Sequence, residues 1–230
     1  MTDLHTHILP GMDDGAKTTK ESLCLLNELK KQGVNKVALT PHFYPRKETL
    51  TEFLVRRQIA WTSLQEAMEG MECPELLLGA EVAWVPDMPQ WPDLDELCYQ
   101  NSKILLVELP VMPWTDNIFR ELDNLESRRG IIPMIAHIDR YFYLQKQRDI
   151  DRLLEMGYPV QVSAEALSSF GFRKQALQLL QNYDGLLISD CHNMSKRAPN
   201  LAQAIKVMEK KLGRQITQKA LAMTEDILVD

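Results

Sequence analysis

The chain alternates amphipathic stretches with short apolar runs, and a glycine often separates them. Leucine and isoleucine recur at helical spacing over 23–29, 118–125 and 150–154. Gly33, Gly130 and Gly157 follow these stretches, and glycine just past a helix is a common stop signal. Thr18 and Glu21 form a capping-box pattern before the first stretch. Short strands that alternate with amphipathic helices predict parallel βαβ units.

About seven apolar runs are predicted as strands. They lie at 2–4, 36–39, 76–78, 104–107, 131–136, 158–162 and 186–189. Their number and even spacing favour a closed sheet, in which all strand C-termini meet at one rim and form the active site. The stretch 201–227 is predicted as a helical tail. We therefore expect an α/β fold, a distorted (β/α)7 barrel, that comprises residues 1–230 as a single domain.

Composition excludes several classes of protein. The net charge of -6 argues against a nucleic-acid partner, which would require clustered Lys and Arg. No run of about 18 apolar residues occurs, so we expect no membrane-inserted segment. A candidate motif begins at residue 3 and leaves no room for a signal peptide. The four cysteines show no paired spacing, which is typical of reduced thiols in a cytoplasmic protein.

The chain has five histidines, each placed where it could bind a metal. His5 and His7 form a His-x-His pair, while His42, His137 and His192 each close an apolar run. Because side chains of a strand alternate between its faces, the rings of a His-x-His pair lie on the same side. Imidazole is the commonest nitrogen ligand of catalytic divalent metals. The histidines therefore predict a metal site.

Carboxylates stand at the same positions along the pattern. Asp14, Glu81, Glu108 and Asp190 lie at or shortly after strand ends, where a purely structural sheet rarely buries an acid. Asp13 is interpreted as a turn residue within the segment Gly-Met-Asp-Asp-Gly. Four acids and five histidines at converging strand ends predict a multinuclear centre, and hence a metal-dependent hydrolase.

Several motifs resemble a known superfamily. The segments at 3–16, 40–42, 79–81 and 108–110 resemble the polymerase and histidinol phosphatase (PHP) superfamily. Within it, Ala-His-Ile-Asp-Arg-Tyr at 136–141 and Ser-Asp-Cys-His-Asn at 189–193 are similar to the bacterial manganese-dependent tyrosine phosphatases of capsule and exopolysaccharide loci. The resemblance covers nearly the whole chain, with the motifs in the family's order.

The resemblance implies a centre of three divalent ions, most often Mn²⁺, with Fe and Zn as alternatives. It assigns His5, His7, Glu81 and Asp190 to the first ion, Glu81, Glu108 and His137 to the second, and Asp14, His42 and His192 to the third. It also implies that Arg140 and Arg197 contact phosphate. Two positions depart from the family pattern: Asp139 stands where Glu is usual, and Ser163 where Asn is expected.

The implied reaction is phosphomonoester hydrolysis on the phosphotyrosine tail of a bacterial tyrosine kinase. A hydroxide that bridges two metals about 4 Å apart could attack phosphorus in line. The third metal and the guanidinium groups would neutralise the phosphate oxygens. Phenolate, whose parent pKa is about 10, leaves without a strong general acid.

Four alternatives stay open at this stage. Cys191 and Arg197 have the spacing of cysteine-dependent tyrosine phosphatases, although the intervening residues contain no glycine. An amidohydrolase also opens with His-x-His, but typically requires a bridging Lys where this chain has Glu. A histidinol-phosphate or other small-molecule phosphatase of the same superfamily is a third. The fourth is a metal-stabilised docking protein without turnover, which fully protein-occupied metals would favour.

Overall fold

A computed structural model describes residues 1–169 and 171–228. The strands in this part of the chain are β1 Thr2–Thr6, β2 Lys36–Leu39, β3 His42–Phe43, β4 Glu75–Leu78, β5 Glu81–Ala83, β6 Ile104–Glu108, β7 Ile132–Ile135, β8 Gln161–Ser163 and β9 Leu186–Ile188. The α-helices are α1 Thr19–Lys31, α2 Leu50–Ala67, α3 Asp116–Arg129, α4 Gln147–Glu155, α5 Ala164–Ser168, α6 Arg173–Asn182, α7 Leu201–Leu212 and α8 Arg214–Asp226. Short 3-10 helices occur at Met88–Gln90, Leu94–Leu97 and Ile138–Tyr141.

All strand pairs are parallel, and they form three sheets. Their strand orders are β1-β2-β4, β3-β5-β6-β7 and β8-β9. Isolated parallel bridges connect the edges: Thr6 pairs with Cys191 beyond β9, and Ile135 of β7 pairs with Val160 before β8. The predicted α/β class with parallel sheets is thus confirmed. Among the described helices, none has the length and apolar character needed to cross a membrane.

The strands separate two groups of buried side chains. A small cluster takes residues from alternate strand positions, among them Leu4, Ala38, Leu106, Met134 and Ile188. The larger cluster takes their strand neighbours and packs them against the helices. This division follows from the alternation of side chains along each strand.

The strands predicted at 36–39 and 76–78 are β2 and β4, and after a short break each is followed by a second strand that the sequence does not predict. β2 ends at Leu39 and the chain resumes as β3 at His42; β4 ends at Leu78 and resumes as β5 at Glu81. His42 and Glu81 are register partners in these short strands. The strand predicted at 158–162 instead begins at Gln161, and the helical tail predicted at 201–227 is broken at Gly213, whose φ of +84° ends one helix.

Helix α2 has no counterpart in the sequence prediction. Its buried face comprises Phe53, Arg57, Ala60 and Leu64, so an arginine interrupts the apolar stripe. Arg57 donates hydrogen bonds to the carbonyl groups of Gly79 and Glu96, at 3.0 and 2.8 Å. The guanidinium group of Arg57 thus takes the place of an apolar side chain on the buried face. One of the carbonyl groups that it binds lies in the break between β4 and β5.

Candidate metal centre

All nine predicted metal ligands lie together at one rim of the strands. His5 is the next-to-last residue of β1, and His7 follows this strand. His42 and Glu81 are the first residues of β3 and β5. Glu108 ends β6, and the remaining ligands follow β7 and β9 or lie in the loop after β1. Parallel strands bring these side chains to one rim because their C-termini all point the same way. Their role as ligands stays a prediction.

The innermost part of the cluster consists of four donor atoms. His5 Nε2 lies 3.1 Å from His7 Nε2, and both nitrogens lie 3.2 Å from Glu81 Oε2. Asp190 Oδ1 lies 3.6 Å from His5 Nε2 and 3.4 Å from His7 Nε2. Ligands about 2.0–2.2 Å from one ion lie about 3.0–3.5 Å from each other. The separations among His5, His7 and Glu81 therefore fit one divalent cation, and Asp190 lies beside the two imidazoles.

The hydrogen bonds behind the two imidazoles fix which nitrogen faces this point. His5 Nδ1 lies 2.7 Å from Gln161 Oε1, and His7 Nδ1 lies 2.7 Å from Asp13 Oδ2. Both partners are acceptors, so each Nδ1 carries the proton and donates it. In neutral rings, each Nε2 then presents a lone pair, and the two lone pairs face each other beside two carboxylates. A cation removes this repulsion.

The other predicted ligands extend the cluster in two directions. His7, Asp14, His42 and His192 offer ligand atoms within 4.8 Å of one another, as do His42, Glu81 and Glu108. His137 Nε2 lies 2.6 Å from Glu81 Oε1 and 3.8 Å from Glu108 Oε1. Because His7, His42 and Glu81 each adjoin more than one group, the cluster is one continuous centre.

Unpartnered polar atoms also fit bound cations. Among the described residues, five buried atoms of the centre have no hydrogen-bond partner: His42 Nδ1, Glu81 Oε2, His137 Nδ1, Asp190 Oδ1 and His192 Nε2. Burying such atoms without a partner is costly. His42 Nδ1 and Glu81 Oε2 lie 2.9 Å apart without forming a hydrogen bond, as expected of two donors to one ion.

The electrostatics of the centre keep its inner carboxylates ionised. Burial alone would raise the pKa of Glu81, but His5, His42 and His137 hold that pKa well below its usual value. Burial and the charge of Glu81 raise the pKa of Glu108. Burial, aided by His7, lowers the pKa of His192 to about 3. The centre thus combines charged carboxylates with imidazoles, the donor set of hydrolytic divalent-metal sites.

Two arginines lie over one edge of the centre. Arg140 and Arg197 both donate to Asp190 Oδ2, Arg197 over 2.7 Å, and Arg197 Nη1 lies 3.5 Å from Asp14 Oδ2. The Arg197 carbonyl accepts hydrogen bonds from the backbone N–H groups of His192 and Asn193, which closes the loop that carries it. Two guanidinium groups therefore face the region between Asp14 and Asp190.

The backbone is strained at two of the predicted ligands. His137 has φ 30° and Asp190 has φ 51°, a region that costs residues other than glycine about 1–3 kcal/mol. Each residue lies two positions after the end of a strand, His137 after β7 and Asp190 after β9. The left-handed conformation turns the chain at these points. Such strain persists where the surrounding structure imposes it, most often at functional sites.

Cys191 does not have the environment of a nucleophile. Its side chain is fully buried, and burial raises the pKa of its thiol well above the usual value. The backbone N–H groups of His192 and Asn193 are taken by the Arg197 carbonyl, so they do not form a phosphate-binding loop. A reactive cysteine requires partial exposure and a lowered pKa. The geometry therefore disfavours the cysteine-dependent alternative.

Asp13 contacts two predicted ligands, which the turn interpretation does not include. It does form the turn, because its Oδ1 accepts from the N–H of Gly15 at 2.9 Å. Its Oδ2, however, accepts from His7 Nδ1 at 2.7 Å and from the His42 N–H at 2.9 Å. The turn also packs tightly on His7: a Cβ at Gly15 would lie 2.0 Å from the His7 carbonyl oxygen. No sequence signal separates this role from an ordinary turn aspartate.

The two departures from the family pattern contact each other. Asp139 Oδ1 accepts a hydrogen bond from the backbone N–H of Ser163 at 2.8 Å, which connects the loop after β7 to the end of β8. Burial raises the pKa of Asp139 to about 6. The shorter carboxylate is therefore anchored next to Arg140 by a backbone group, which does not depend on the side chain at position 163.

We expect Asp13→Asn to weaken metal binding about 10- to 100-fold, the usual effect of losing the partner of a metal-binding histidine. Asparagine can still accept from Gly15, so the turn should persist. Elemental analysis and metal titration of the purified variant measure the effect, with thermal unfolding to check the fold. Asp93→Asn, at an exposed position remote from the cluster, is the control. Unchanged metal affinity in a folded Asp13→Asn variant would restrict Asp13 to the turn.

Comparison with known proteins gives consistent matches. The profile of the family described as "Capsular polysaccharide synthesis, CpsB/CapC" matches residues 1–229. The tyrosine-protein phosphatase CpsB of Streptococcus pneumoniae is 31% identical over 230 residues, covering 93% of this chain and 91% of the relative. The tyrosine-protein phosphatase YwqE of Bacillus subtilis is 28% identical over 228 residues, covering 94% and 87%.

A solved structure has the same fold. It comes from a study of YwqE from Bacillus subtilis and CpsB from Streptococcus pneumoniae, described as metal-dependent tyrosine phosphatases. The TM-score is 0.84 at 24% identity, over 100% of this chain and 94% of the solved one. The resemblance stated from the sequence motifs is confirmed: the chain belongs to the CpsB/CapC family of capsular polysaccharide synthesis.

Proposed function

We propose that this protein is a metal-dependent protein-tyrosine phosphatase that acts in capsular or exopolysaccharide synthesis. The observation that carries the proposal is the convergence of donor atoms from His5, His7 and Glu81, with Asp190 beside the two imidazoles and two guanidinium groups at the edge. The names of the relatives, CpsB and YwqE tyrosine-protein phosphatases, support the substrate class.

The proposal assigns the nine clustered residues as ligands of divalent ions, three in number and Mn²⁺ by preference. When bound, such ions supply a water that ionises near neutral pH and positive charge for the phosphate oxygens. Gln161 and Asp13 hold the rings of His5 and His7 with their Nε2 atoms inward. These hydrogen bonds fix the ligand geometry before substrate arrives, which avoids reorganisation during the reaction.

Arg140 and Arg197 act on the phosphate in this proposal. Both guanidinium groups already lie at one carboxylate edge, Asp190 Oδ2, so they converge on the same region of the rim. The planar fork of arginine suits the non-bridging oxygens of a phosphate group. As the transferred group gains charge in the transition state, two fixed cations stabilise it. The departing phenolate is stable enough to leave without a strong acid.

The substrate we propose is the phosphotyrosine tail of a bacterial tyrosine kinase, and we propose that the reaction takes place in the cytoplasm. A disordered tail can reach the rim without remodelling the folded domain. A histidinol-phosphate or other small-molecule phosphatase is the competing assignment, since it would use the same ligands.

We further infer that residues 1–230 form one domain and that the three sheets are arcs of the distorted (β/α)7 barrel. β2 with β3, and β4 with β5, then count as two interrupted strands. The bridges Thr6–Cys191 and Ile135–Val160 support closure because they join the sheets edge to edge. The small cluster of alternate strand residues, with Leu4 and Met134 among them, is the filled interior expected of such a barrel.

Chelation should abolish phosphotyrosine-peptide hydrolysis, and Mn²⁺ should restore it. In the same assay, Glu81→Gln should lose both activity and bound metal, because Glu81 contacts four of the five histidines. Cys191→Ser is the control and should keep most activity, since the thiol is buried. Inactivation by Cys191→Ser with normal metal content would contradict the metal mechanism.

Arg197→Ala should lower kcat/KM for a phosphotyrosine peptide about tenfold or more, because a charge-assisted contact contributes about 1.5–3 kcal/mol. Elemental analysis must show unchanged metal content, since Arg197 also contacts Asp190. Lys196→Ala, one residue away and exposed, should have no effect. Equal activity of the two variants would remove Arg197 from the phosphate site.

The two candidate substrate classes can be separated directly. The wild-type protein loaded with Mn²⁺ should have a higher kcat/KM for a phosphotyrosine peptide than for a phosphoserine peptide, because phenolate is the better leaving group. It should also prefer the phosphotyrosine peptide to histidinol phosphate. A large preference for histidinol phosphate would favour the small-molecule assignment and leave the metal mechanism intact.

A further inference from the structure

A pocket opens beside the metal centre, on the side of Asp14 and His42. Its volume is about 430 Å³, within the range of pockets that hold small ligands or side chains. Asp13, Asp14 and His42 line it on the side of the centre, while Met12, Tyr44, Lys47, Glu48 and Arg56 line the rest. Because two predicted metal ligands are part of its wall, the pocket and the centre are continuous.

Tyr44 forms a firm wall between the centre and the outer pocket. Its ring is stacked on the His42 ring, with centroids 4.9 Å apart and planes at 27°. The ammonium group of Lys47 lies 4.0 Å from the Tyr44 ring centroid. A cation over an aromatic face is attracted by about 0.5–1 kcal/mol at an exposed site. The rings of His42 and Tyr44 are therefore the two layers between this positive charge and the centre.

The charges in the pocket leave Lys47 uncompensated. Arg56 is neutralised, since its Nη1 lies 2.5 Å from Glu48 Oε2 and its Nη2 donates to the Met12 carbonyl. Lys47 differs: within residues 1–169 and 171–228, no carboxylate lies at ion-pair distance from its ammonium group. Asp14, the remaining exposed acid of the wall, faces His42, His192 and Arg197. The outer pocket thus offers one free cation.

We propose that this pocket binds an acidic side chain that flanks the phosphotyrosine of the substrate, with Lys47 as its ion-pair partner. The inference rests on the phosphatase function proposed above, because it takes the phosphotyrosine to lie at the metal centre. An extended chain advances about 3.3–3.6 Å per residue, so a residue two or three positions from the phosphotyrosine spans the two ring layers. The chain therefore selects substrates by the charge next to the phosphorylated tyrosine.

The test uses three phosphotyrosine peptides of equal length. Glu, Gln or Lys occupies the second and third positions on both sides of the tyrosine. For the Mn²⁺-loaded wild-type protein, kcat/KM should fall in the order Glu, Gln, Lys. Lys47→Gln should reduce the ratio between the Glu and Lys peptides about two- to fivefold, the effect of one exposed ion pair. The change should lie in KM, because the ion pair is equally strong in the bound substrate and in the transition state.

Two controls separate the pocket from general electrostatics. Arg46→Gln removes the same charge from the same loop, but Arg46 does not line the pocket, so the peptide ratio should match wild type. Hydrolysis of para-nitrophenyl phosphate, which has no flanking residues, should be the same in wild type and Lys47→Gln. Lys47→Glu should reverse the preference towards the Lys peptide.

The outcomes distinguish this inference from the function on which it rests. An unchanged peptide ratio in Lys47→Gln, or an equal change in Arg46→Gln, overturns the pocket while phosphotyrosine hydrolysis stands. The absence of hydrolysis of all three peptides by metal-loaded protein that cleaves para-nitrophenyl phosphate overturns the proposed substrate class instead.

Discussion

Four electron-rich atoms lie close together in the candidate metal centre, and hydrogen bonds in the surrounding structure hold them there. His5 Nε2 and His7 Nε2 lie 3.1 Å apart; both lie 3.2 Å from Glu81 Oε2, and they lie 3.6 and 3.4 Å from Asp190 Oδ1. In neutral imidazoles and ionised carboxylates these atoms repel one another. Hydrogen bonds donated by Nδ1 hold the two imidazole rings in place, from His5 to Gln161 and from His7 to Asp13. A cation bound between these atoms would attract each of them and outweigh their mutual repulsion, so the geometry favours metal binding.

The restraint extends below the centre through buried polar contacts. Gln161 Nε2 donates to the Tyr99 hydroxyl, which in turn donates to the Leu4 carbonyl in β1. On the other side, Asp3 accepts from the hydroxyl of Ser189 at 2.5 Å and from its N–H at 3.1 Å. Burial raises the pKa of Asp3 to about 6. These contacts join β1 to the segments that carry Asp190 and Gln161, so the relative positions of the ligands depend on satisfied hydrogen bonds inside the sheet.

The sequence predicted the parts of this design that follow from strand periodicity. A predicted ligand that follows a buried run, such as His137 after β7, can be found from the apolar pattern because the run ends at the rim. Partners that come from elsewhere in the chain cannot be read in this way. Gln161 is 156 positions from His5, and only the packing of β8 and β1 in the folded chain brings them together. Asp13 was read as a turn residue because turn formation and support of His7 require the same side chain. Helix α2 was missed because Arg57 occupies an apolar position of its buried face.

Exposure across the centre indicates the direction from which substrate arrives. His5, His7 and Glu81 are almost completely buried, whereas Glu108 is 24% exposed and Asp14 is 64% exposed. The solvent-exposed side of the centre is therefore the outer one, which is where Arg197 and the pocket of Tyr44 and Lys47 are also found. Sites that select a small molecule usually enclose most of its surface. An opening to solvent on one side of the centre also suits a phosphate group presented on a polypeptide, whose remaining residues would lie along the rim.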